Sequence, residues 1–289
     1  MSIGDVRRCC RLFVVVLAGV LVLGARAQKV TRNIAYAGSL APAECGDLYQ
    51  PVGAGPFAAV VYLHGGSWRS GSKGNFDKLA ADLAVKGYVG FSVNYDLRAG
   101  TFPLAWEEAR AAVGFVRAHA AEYHIDPAKI VIAGTSAGGE LAALVALAPQ
   151  GPAKPTASAD TSAVPVMGAV ILNGVFDLEN SGGVIKRYLG AECGPTEEPC
   201  QDASPLQHVH AGAPPFFVGH GTGDGTVPFS EAKRFAGALR EAHVPVKLYV
   251  AEGGPHMYWE KKTYYAANLD AVVGFLAGLT GAGGGGGSR

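Results

Sequence analysis

An apolar run that breaks into a glycine-rich turn, and then into a helix-forming segment, constrains this chain more than any other feature. Residues 130–133 read Ile-Val-Ile-Ala, residues 134–138 read Gly-Thr-Ser-Ala-Gly, and residues 139–148 are rich in Ala and Leu. This pattern predicts a buried strand, a sharp turn and a helix in succession. Small residues on both sides of Ser136 permit a turn tight enough to expose its hydroxyl.

Ser136 has the sequence context of a nucleophile elbow, in which a serine lies on a sharp strand-to-helix turn. The Gly-x-Ser-x-Gly motif alone is a weak signal, because any glycine-rich turn can contain a serine. The predicted strand before the motif and the helix after it supply the context that the motif requires. The amide of Ala137 would begin that helix, so it is a candidate donor to an oxyanion that forms beside the serine.

The amino-terminal segment has the pattern of a secretory signal peptide. Arginines within residues 7–11 precede an apolar run, residues 12–23, and a small-residue motif ends at Ala27. The run is shorter than the roughly 20 apolar residues that a spanning helix needs. We therefore predict that residues 1–27 are removed on export, that no stable membrane anchor remains, and that the protein is secreted or periplasmic.

Composition excludes several classes of partner and leaves room for one large domain. Removal of residues 1–27 would leave 262 of the 289 residues, enough for a single α/β domain with a sizeable core. Lys plus Arg and Asp plus Glu both number 24, and 17% of residues are charged, so neither nucleic acid nor an acidic polymer is an expected partner. His208-x-His210 is too weak a pattern to predict a metal site, and we expect neither metal nor cofactor.

Three cysteines follow the predicted cleavage site: Cys45, Cys193 and Cys200. An exported protein can pair two of them, since export places it in an oxidising compartment. Cys193 and Cys200 are close in sequence and flanked by Gly and Pro, so their pairing is the favoured one. The alternative joins Cys45 to one of these two cysteines.

Apolar runs alternate with helical patterns along the rest of the chain, which predicts a mostly parallel sheet flanked by helices. Residues 179–215 carry no clear periodic signal and are predicted to form a lid-like insertion, while the Gly-rich residues 281–289 have the composition of a flexible tail. The predicted strands are two short antiparallel edge strands within residues 29–49, then residues 57–63, 88–95, 129–135, 166–175, 216–221 and 244–251. The predicted helices are residues 75–86, 106–119, 137–149, 229–243 and 265–279.

The loop after the first long apolar run is a second candidate source of oxyanion donors. Residues 57–63 lead directly into His-Gly-Gly-Ser-Trp at 64–68. Glycines after a central strand let backbone amides approach a ligand closely. We therefore predict that the amides of Gly65, Gly66 and Ser67 complete an oxyanion hole with Ala137.

Ligands of doubly wound sheets bind at the carboxyl ends of the strands, and three residues suited to nucleophilic catalysis fall there. Ser136, Asp224 and His256 each follow a predicted strand, in the order serine, acid, histidine. His256 would take the proton from Ser136 and return it to the leaving group, while Asp224 would hold the imidazole in the required tautomer. Asp177 is the rival acid; Asp224 is preferred because it follows the strand just before the one that delivers the histidine.

Alternatives remain for the histidines and aromatic residues near these motifs. Trp68, Tyr258 and Trp259 flank the motifs and are predicted to line a substrate pocket, although aromatic residues beside strand ends also pack against cores. Five other histidines are expected to be structural or to lie on or beside helices. They are His64, His220, His119, His124 and His243.

With these residues placed, the sequence resembles the α/β-hydrolase superfamily over nearly all of residues 28–280. Within it, the chain is similar to small lipolytic esterases of the hormone-sensitive lipase and feruloyl or acetylxylan esterase groups. That resemblance implies a central sheet of about eight mostly parallel strands and a lid insertion before the acid-bearing strand. It is carried by Tyr-Leu-His64-Gly-Gly-Ser-Trp68, Asn94-Tyr-Asp-Leu, Asp126-Pro127, Ile-Ala-Gly-Thr-Ser136-Ala-Gly-Gly, His220-Gly-Thr-Gly-Asp224-Gly-Thr-Val-Pro228 and Gly-Gly-Pro-His256.

The resemblance also implies an activity, with alternatives left open. It indicates a serine carboxylic-ester hydrolase that forms an acyl-enzyme from short acyl or aryl esters, including acetyl or feruloyl esters of plant polysaccharides. Ser67 and Trp68 stand where the hormone-sensitive lipase pattern has a third glycine, and a long amino-terminal cap is lacking; His-Gly-Gly-x-Trp instead looks like the arylformamidase and feruloyl-esterase-like branch. The alternatives are an amidase, arylformamidase or peptidase with the same triad, and a non-catalytic binding protein on this fold.

Overall fold

Eight strands form one central sheet in the computed structural model, which describes residues 28–37, 45–148, 164–179, 182–194 and 198–281. The predicted signal peptide and residues 282–289 of the predicted tail lie outside these ranges. The strands are β1 (Lys29–Ala35), β2 (Cys45–Gln50), β3 (Phe57–Leu63), β4 (Val89–Val93), β5 (Ile125–Thr135), β6 (Gly168–Leu172), β7 (Phe216–Gly221) and β8 (Val246–Ala251).

The strand order across the sheet is β1-β2-β4-β3-β5-β6-β7-β8. β1 pairs antiparallel with β2, and β2 antiparallel with β4, whereas every pair from β4 to β8 is parallel. The predicted antiparallel edge strands and the mostly parallel sheet of about eight strands are confirmed. Since β3, β5, β6, β7 and β8 are consecutive neighbours, their carboxyl ends lie side by side at one edge of the sheet.

Helices cover both faces of the sheet, which explains the continuous apolar run of β3. Ala59, Val61 and Leu63 belong to the core on one face, together with apolar residues of α2, α3 and α6; Val60 and Tyr62 belong to the core on the other face, with α1 and α7. The helices are α1 (Asp77–Val85), α2 (Leu104–Ala118), α3 (Ala137–Leu147), α4 (Gly183–Leu189), α5 (Glu198–Ala203), α6 (Phe229–Glu241) and α7 (Lys262–Thr280).

The segment between β6 and β7 contains more regular structure than its sequence suggested. It holds α4, α5 and a 3₁₀ turn at Pro205–His208. α4 has 7 residues and α5 has 6, so neither is long enough to display a helical repeat of apolar positions. No helix within the described ranges is both long enough and apolar enough to cross a membrane.

Candidate active site

Ser136 lies between β5 and α3 in a backbone conformation that non-glycine residues rarely adopt. Its φ is 52° and its ψ is −121°, and such strain persists only where the surrounding structure imposes it. A Cβ at Gly134 would overlap the carbonyl of Gly138, and a Cβ at Gly138 would overlap the carbonyl oxygens of Leu63 and His64. Both glycines are therefore required for the turn that presents the hydroxyl.

His256 and Asp224 complete a chain of hydrogen bonds from this hydroxyl. His256 Nε2 lies 3.1 Å from Ser136 Oγ, and His256 Nδ1 lies 2.8 Å from Asp224 Oδ2. The contact with Asp224 places the imidazole N–H at Nδ1, so Nε2 is free to accept the serine proton. The structure thus brings together the three residues that the sequence predicted to form a triad.

Several donors surround the Asp224 carboxylate, whose side chain has 0% exposure. Oδ1 accepts hydrogen bonds from the backbone N–H groups of Thr226 and Val227, each at 2.9 Å. Oδ2 accepts from Asn173 Nδ2 at 2.7 Å and lies 3.2 Å from His220 Nε2. Both carboxylate oxygens are consequently held in place from several directions.

These donors also keep the acid ionised. Burial by itself raises the pKa of the Asp224 carboxyl, but hydrogen bonds from His220, His256 and the loop amides hold that pKa well below its usual value. Asp224 is therefore a carboxylate at neutral pH, as it must be to stabilise a protonated imidazole.

Asn173 and His220 are site residues that the sequence reasoning missed. Asn173 follows β6 directly, with a φ of 49°, and His220 lies at the carboxyl end of β7. A signal was present, because both stand at the strand ends where ligands of such sheets bind. The sequence predicts only a structural role for His220 and assigns no role to Asn173.

Asp177, the rival acid, lies elsewhere in the site. Its Oδ1 accepts the backbone N–H of Glu179 at 2.9 Å, and its Oδ2 accepts from Arg234 Nη2 at 2.5 Å. The carboxylate that contacts His256 is that of Asp224. The geometry therefore favours Asp224 as the acid.

The loop after β3 lies against the serine. Gly66, Ser67 and Trp68 all have positive φ values, of 123°, 55° and 51°. A Cβ built on Gly65 would lie 3.1 Å from Ser136 Cβ, which shows how closely the loop backbone approaches. Ser67 and Ser136 line the same cavity. The loop that is predicted to supply oxyanion donors is thus adjacent to the serine, and Ala137 is the first residue of α3.

His64 holds this loop from behind. Its Nδ1 lies 2.7 Å from the carbonyl oxygen of Gly65, and its ring stacks on Tyr95 with centroids 4.3 Å apart. Burial lowers the pKa of His64 to about 4, so the ring is neutral at pH 7. A neutral ring with its proton on Nδ1 donates to Gly65, as expected for the structural role predicted from the sequence.

A cavity of about 400 Å³ opens in front of Ser136. One part of its wall is apolar and consists of side chains from α4 and from the segments that follow β6 and β7. Another part carries carboxylates, of which Asp177 accepts a hydrogen bond from Arg234. No group of three or more His, Cys, Asp or Glu side chains in the part of the chain that the structure describes could hold a metal ion. The apolar wall includes Val175, Val184, Ile185 and Val227, and the carboxylates are Asp177, Glu179 and Glu231.

Trp68 lines this cavity, but the prediction that Tyr258 and Trp259 also line it is wrong. Their exposures are 0% and 2%, and they belong to the core beneath the sheet. Tyr258 donates to Asn268 Oδ1 at 2.8 Å, and Trp259 Nε1 donates to Thr135 Oγ1 at 3.1 Å. The short turn after His256 directs both rings away from the serine, where each buried polar group finds a partner.

A fully buried carboxyl group connects the oxyanion loop to the segment before β7. Glu140, on α3, accepts from Trp68 Nε1 at 2.9 Å, and the Tyr188 hydroxyl lies 3.2 Å from its Oε1. Trp68 and Tyr188 also stack, with ring centroids 4.4 Å apart, and Arg187 donates to the Trp68 carbonyl at 3.1 Å. Glu140 on α3 therefore connects the loop after β3, through Trp68, to α4, through Tyr188.

The structure joins Cys193 to Cys200 in a disulfide, with Cα atoms 5.5 Å apart. Cys200 is on α5, and Cys193 lies in the connection before it. Cys45 is instead on β2, where its Sγ lies 3.6 Å from Asn33 Oδ1. This arrangement is the local pairing favoured from the sequence.

Comparisons with known proteins agree with this fold and site. The BD-FAE family model matches residues 47–239. The esterase LipQ of Mycobacterium tuberculosis is 30% identical over 236 residues, which cover 77% of this chain and 55% of LipQ. The chain spans about half the length of the curated relatives that it matches.

Solved structures of a thermophilic esterase, Est2 of the planctomycete Thermogutta terrifontis, have the same architecture. The native form has a TM-score of 0.70 and 29% sequence identity, over 83% of this chain and 91% of that one. The propionate-bound form has a TM-score of 0.72, and another form is phosphoramylated by tabun. Together with the matched residues 47–239, these likenesses show that the chain belongs to the BD-FAE family and has the α/β-hydrolase fold.

Proposed function

We propose that this protein is a serine carboxylesterase that acts through an acyl-enzyme. The observation that carries the proposal is the hydrogen-bonded chain from Ser136 through His256 to Asp224, in which Ser136 lines a cavity of about 400 Å³. The esterase relatives and the tabun adduct of Est2 support it, since organophosphates of this kind modify activated serines.

The geometry supports a two-step reaction. In the first step, Ser136 Oγ forms a bond to the ester carbonyl carbon while His256 Nε2 takes the hydroxyl proton. The carbonyl oxygen becomes an oxyanion held by amides of the loop after β3 and by that of Ala137. The carbon–oxygen bond to the alcohol then breaks, and His256 gives its proton to the departing alcohol.

In the second step, water takes the place of the alcohol. His256 accepts a proton from water as the oxygen attacks the acyl carbon, and Ser136 leaves with that proton. The products are one carboxylic acid and one alcohol. Asp224 keeps its charge throughout, which stabilises the imidazolium that forms in each step.

Short acyl or aryl esters are the substrates that we propose. Pockets of about 300–1,000 Å³ suit small molecules, and this cavity is at the small end of that range. Est2 has been solved with propionate and with butyrate bound, which supports short acyl chains by analogy. We further propose that acetyl or feruloyl esters of plant polysaccharides are among the substrates. No nucleic-acid partner is proposed.

The experiment is a panel of nitrophenyl esters of increasing acyl length, assayed with wild type, Ser136→Ala and Ser230→Ala. Ser230 is an exposed serine on α6 and serves as the matched control. We expect turnover of the shorter esters by wild type and Ser230→Ala, and none by Ser136→Ala with an unchanged melting temperature. A fluorophosphonate should label Ser136 alone, and normal turnover by Ser136→Ala would overturn the proposal.

The same panel separates the other activities suggested by the sequence. An anilide and an N-formyl aryl amine report amidase or arylformamidase activity, and acetylated xylan reports the polysaccharide esters. Faster cleavage of either amide than of every ester would replace the esterase proposal with an amidase. Failure to cleave any substrate or to accept the phosphonate would favour a non-catalytic binding protein.

We also propose that the protein is exported after removal of residues 1–27. The Arg-containing start, the apolar run and the small-residue motif ending at Ala27 support this. Amino-terminal sequencing of the protein from the periplasm or medium should begin at Gln28, whereas intact chain in the cytoplasm alone would contradict export.

A further inference from the structure

The buried histidine beside the triad acid has no step in the reaction described above. His220 has 0% exposure, lies at the carboxyl end of β7 and directs Nε2 at two oxygen atoms. One is Asp224 Oδ2, at 3.2 Å, and the other is the carbonyl oxygen of Val227, at 2.9 Å. Since both atoms are acceptors, the proton of the ring must be on Nε2.

The same oxygen of Asp224 serves the catalytic base. Oδ2 accepts from His256 Nδ1 at 2.8 Å and from Asn173 Nδ2 at 2.7 Å. The His220 N–H, which it shares with the Val227 carbonyl, is a third N–H group directed at this atom, with Nε2 at 3.2 Å. Hydrogen bonds to an ionised acceptor are stronger than those between neutral groups. They therefore restrict rotation of the carboxylate and keep Oδ2 directed at His256.

His220 also stabilises the loop that carries the acid. Its second acceptor is the Val227 carbonyl, and the N–H of the same residue donates to Asp224 Oδ1 at 2.9 Å. His220, Val227 and Asp224 thus form a closed set of hydrogen bonds in which the ring contacts both the acid and the loop. A displacement of the ring would move both together.

We propose that His220 is a positioning residue for the esterase reaction, which acts through Asp224 by holding Oδ2 against His256. This inference rests on the proposed function. The positioning role belongs to Nε2, which makes the contacts with Asp224 and Val227. Nδ1 has no hydrogen-bond partner among the described residues.

A matched pair of substitutions tests whether the N–H group at the position of Nε2 is the one that turnover requires. In His220→Gln, the terminal amide nitrogen is as many bonds from Cβ as Nε2 is, so it can donate to the same oxygens. In His220→Asn, the amide reaches only the position of Nδ1. We expect His220→Gln to keep kcat within about threefold, and His220→Asn to lower kcat by tenfold or more with little change in KM, which corresponds to about 1.4 kcal/mol.

A double-mutant cycle distinguishes positioning from a general effect on folding. In an Asp224→Asn background, His220→Asn should change kcat less than about twofold, because the carboxylate it positions is absent. Equal effects in both backgrounds, equal losses in the two His220 variants, or a change confined to KM would each overturn the proposal. Melting temperatures identify any variant that fails to fold.

A readout independent of ester turnover keeps the two proposals separable. The proton between His256 Nδ1 and Asp224 should give a downfield ¹H NMR resonance in wild type and in His220→Gln, and a shifted or lost resonance in His220→Asn. An unchanged resonance in His220→Asn would overturn the positioning role. Wild-type protein with this resonance pattern but no esterase activity would retain the positioning role with respect to Asp224 and refute the proposed function.

Discussion

Replacement of Glu140 by Gln should make the stability of the protein less dependent on pH. Glu140 has 0% exposure, and burial raises the pKa of its carboxyl well above the ordinary value of 4.5, although Trp68 and Tyr188 donate to it. The folded protein therefore keeps the carboxyl protonated at pH values where the unfolded chain has lost the proton. Gln has no such proton to lose.

The sign and size of the effect follow from proton linkage. Below pH 4.5 both states of the wild type bind the proton, and this carboxyl adds no pH dependence. As the pH rises toward the raised folded-state pKa, the wild type loses stability at up to about 1.4 kcal/mol per pH unit. The free energy of unfolding of Glu140→Gln, relative to wild type, should therefore rise between pH 5 and pH 7, at no more than this limiting slope.

Urea denaturation of both proteins at several pH values measures this difference, in which all other titrating groups cancel. Glu140→Leu is the matched control, because it removes the charge and also the acceptor for Trp68 and Tyr188. It should be less stable than Glu140→Gln by about 1–3 kcal/mol for each buried donor left unpaired. The free energies of unfolding of the two variants should change with pH in the same way. Parallel curves for wild type and Glu140→Gln would refute the reasoning.

Three further outcomes are expected. Asp224→Asn should lower kcat by roughly 10⁴-fold, because the imidazole would be held in the wrong tautomer, and Asp177→Asn should lower it much less. Steady-state kinetics on a nitrophenyl ester measure both effects, and the reverse ranking would identify Asp177 as the acid. Gly138→Ala should lower the free energy of unfolding by about 1–3 kcal/mol and reduce turnover, because the added methyl group overlaps two backbone carbonyls. A variant with the same denaturation midpoint and the same kinetics as the wild type would contradict this. Loss of the Cys193–Cys200 disulfide, whose partners are 7 positions apart, should lower the free energy of unfolding by about 2–3 kcal/mol at most. Its main effect should be increased proteolysis near α5, with a small change in melting temperature. A peptide map that joins either cysteine to another partner would contradict the pairing.

The fold class followed from local patterns in the sequence. A strand buried on both faces, such as β3, must be apolar at every position, so its residues identify it without knowledge of its neighbours. The turn at Ser136 can also be predicted from the local sequence, because a side chain at position 134 or 138 would overlap backbone atoms next to the turn. The order of strand ends then indicated which acid and which histidine face the serine.

Side-chain partners that are distant in sequence were decided only by the tertiary structure. Asn173 and Asp224 are 51 positions apart, and Glu140 and Tyr188 are 48 apart. No periodic pattern or motif encodes such a pair, since the contact depends on the order of the strands and on where α4 packs. The sequence therefore placed Asp224 in the site but could not identify all the donors around it.

The two aromatic residues after His256 illustrate the same limit. From the sequence, Tyr258 and Trp259 could face either the cavity or the core, because both positions lie just beyond a strand end. Only the direction of the turn settled the choice, and it placed their polar atoms on Asn268 and Thr135. Strand identity depends on the residues of the strand itself, whereas the direction of a side chain after a turn depends on the packing of elements far along the chain.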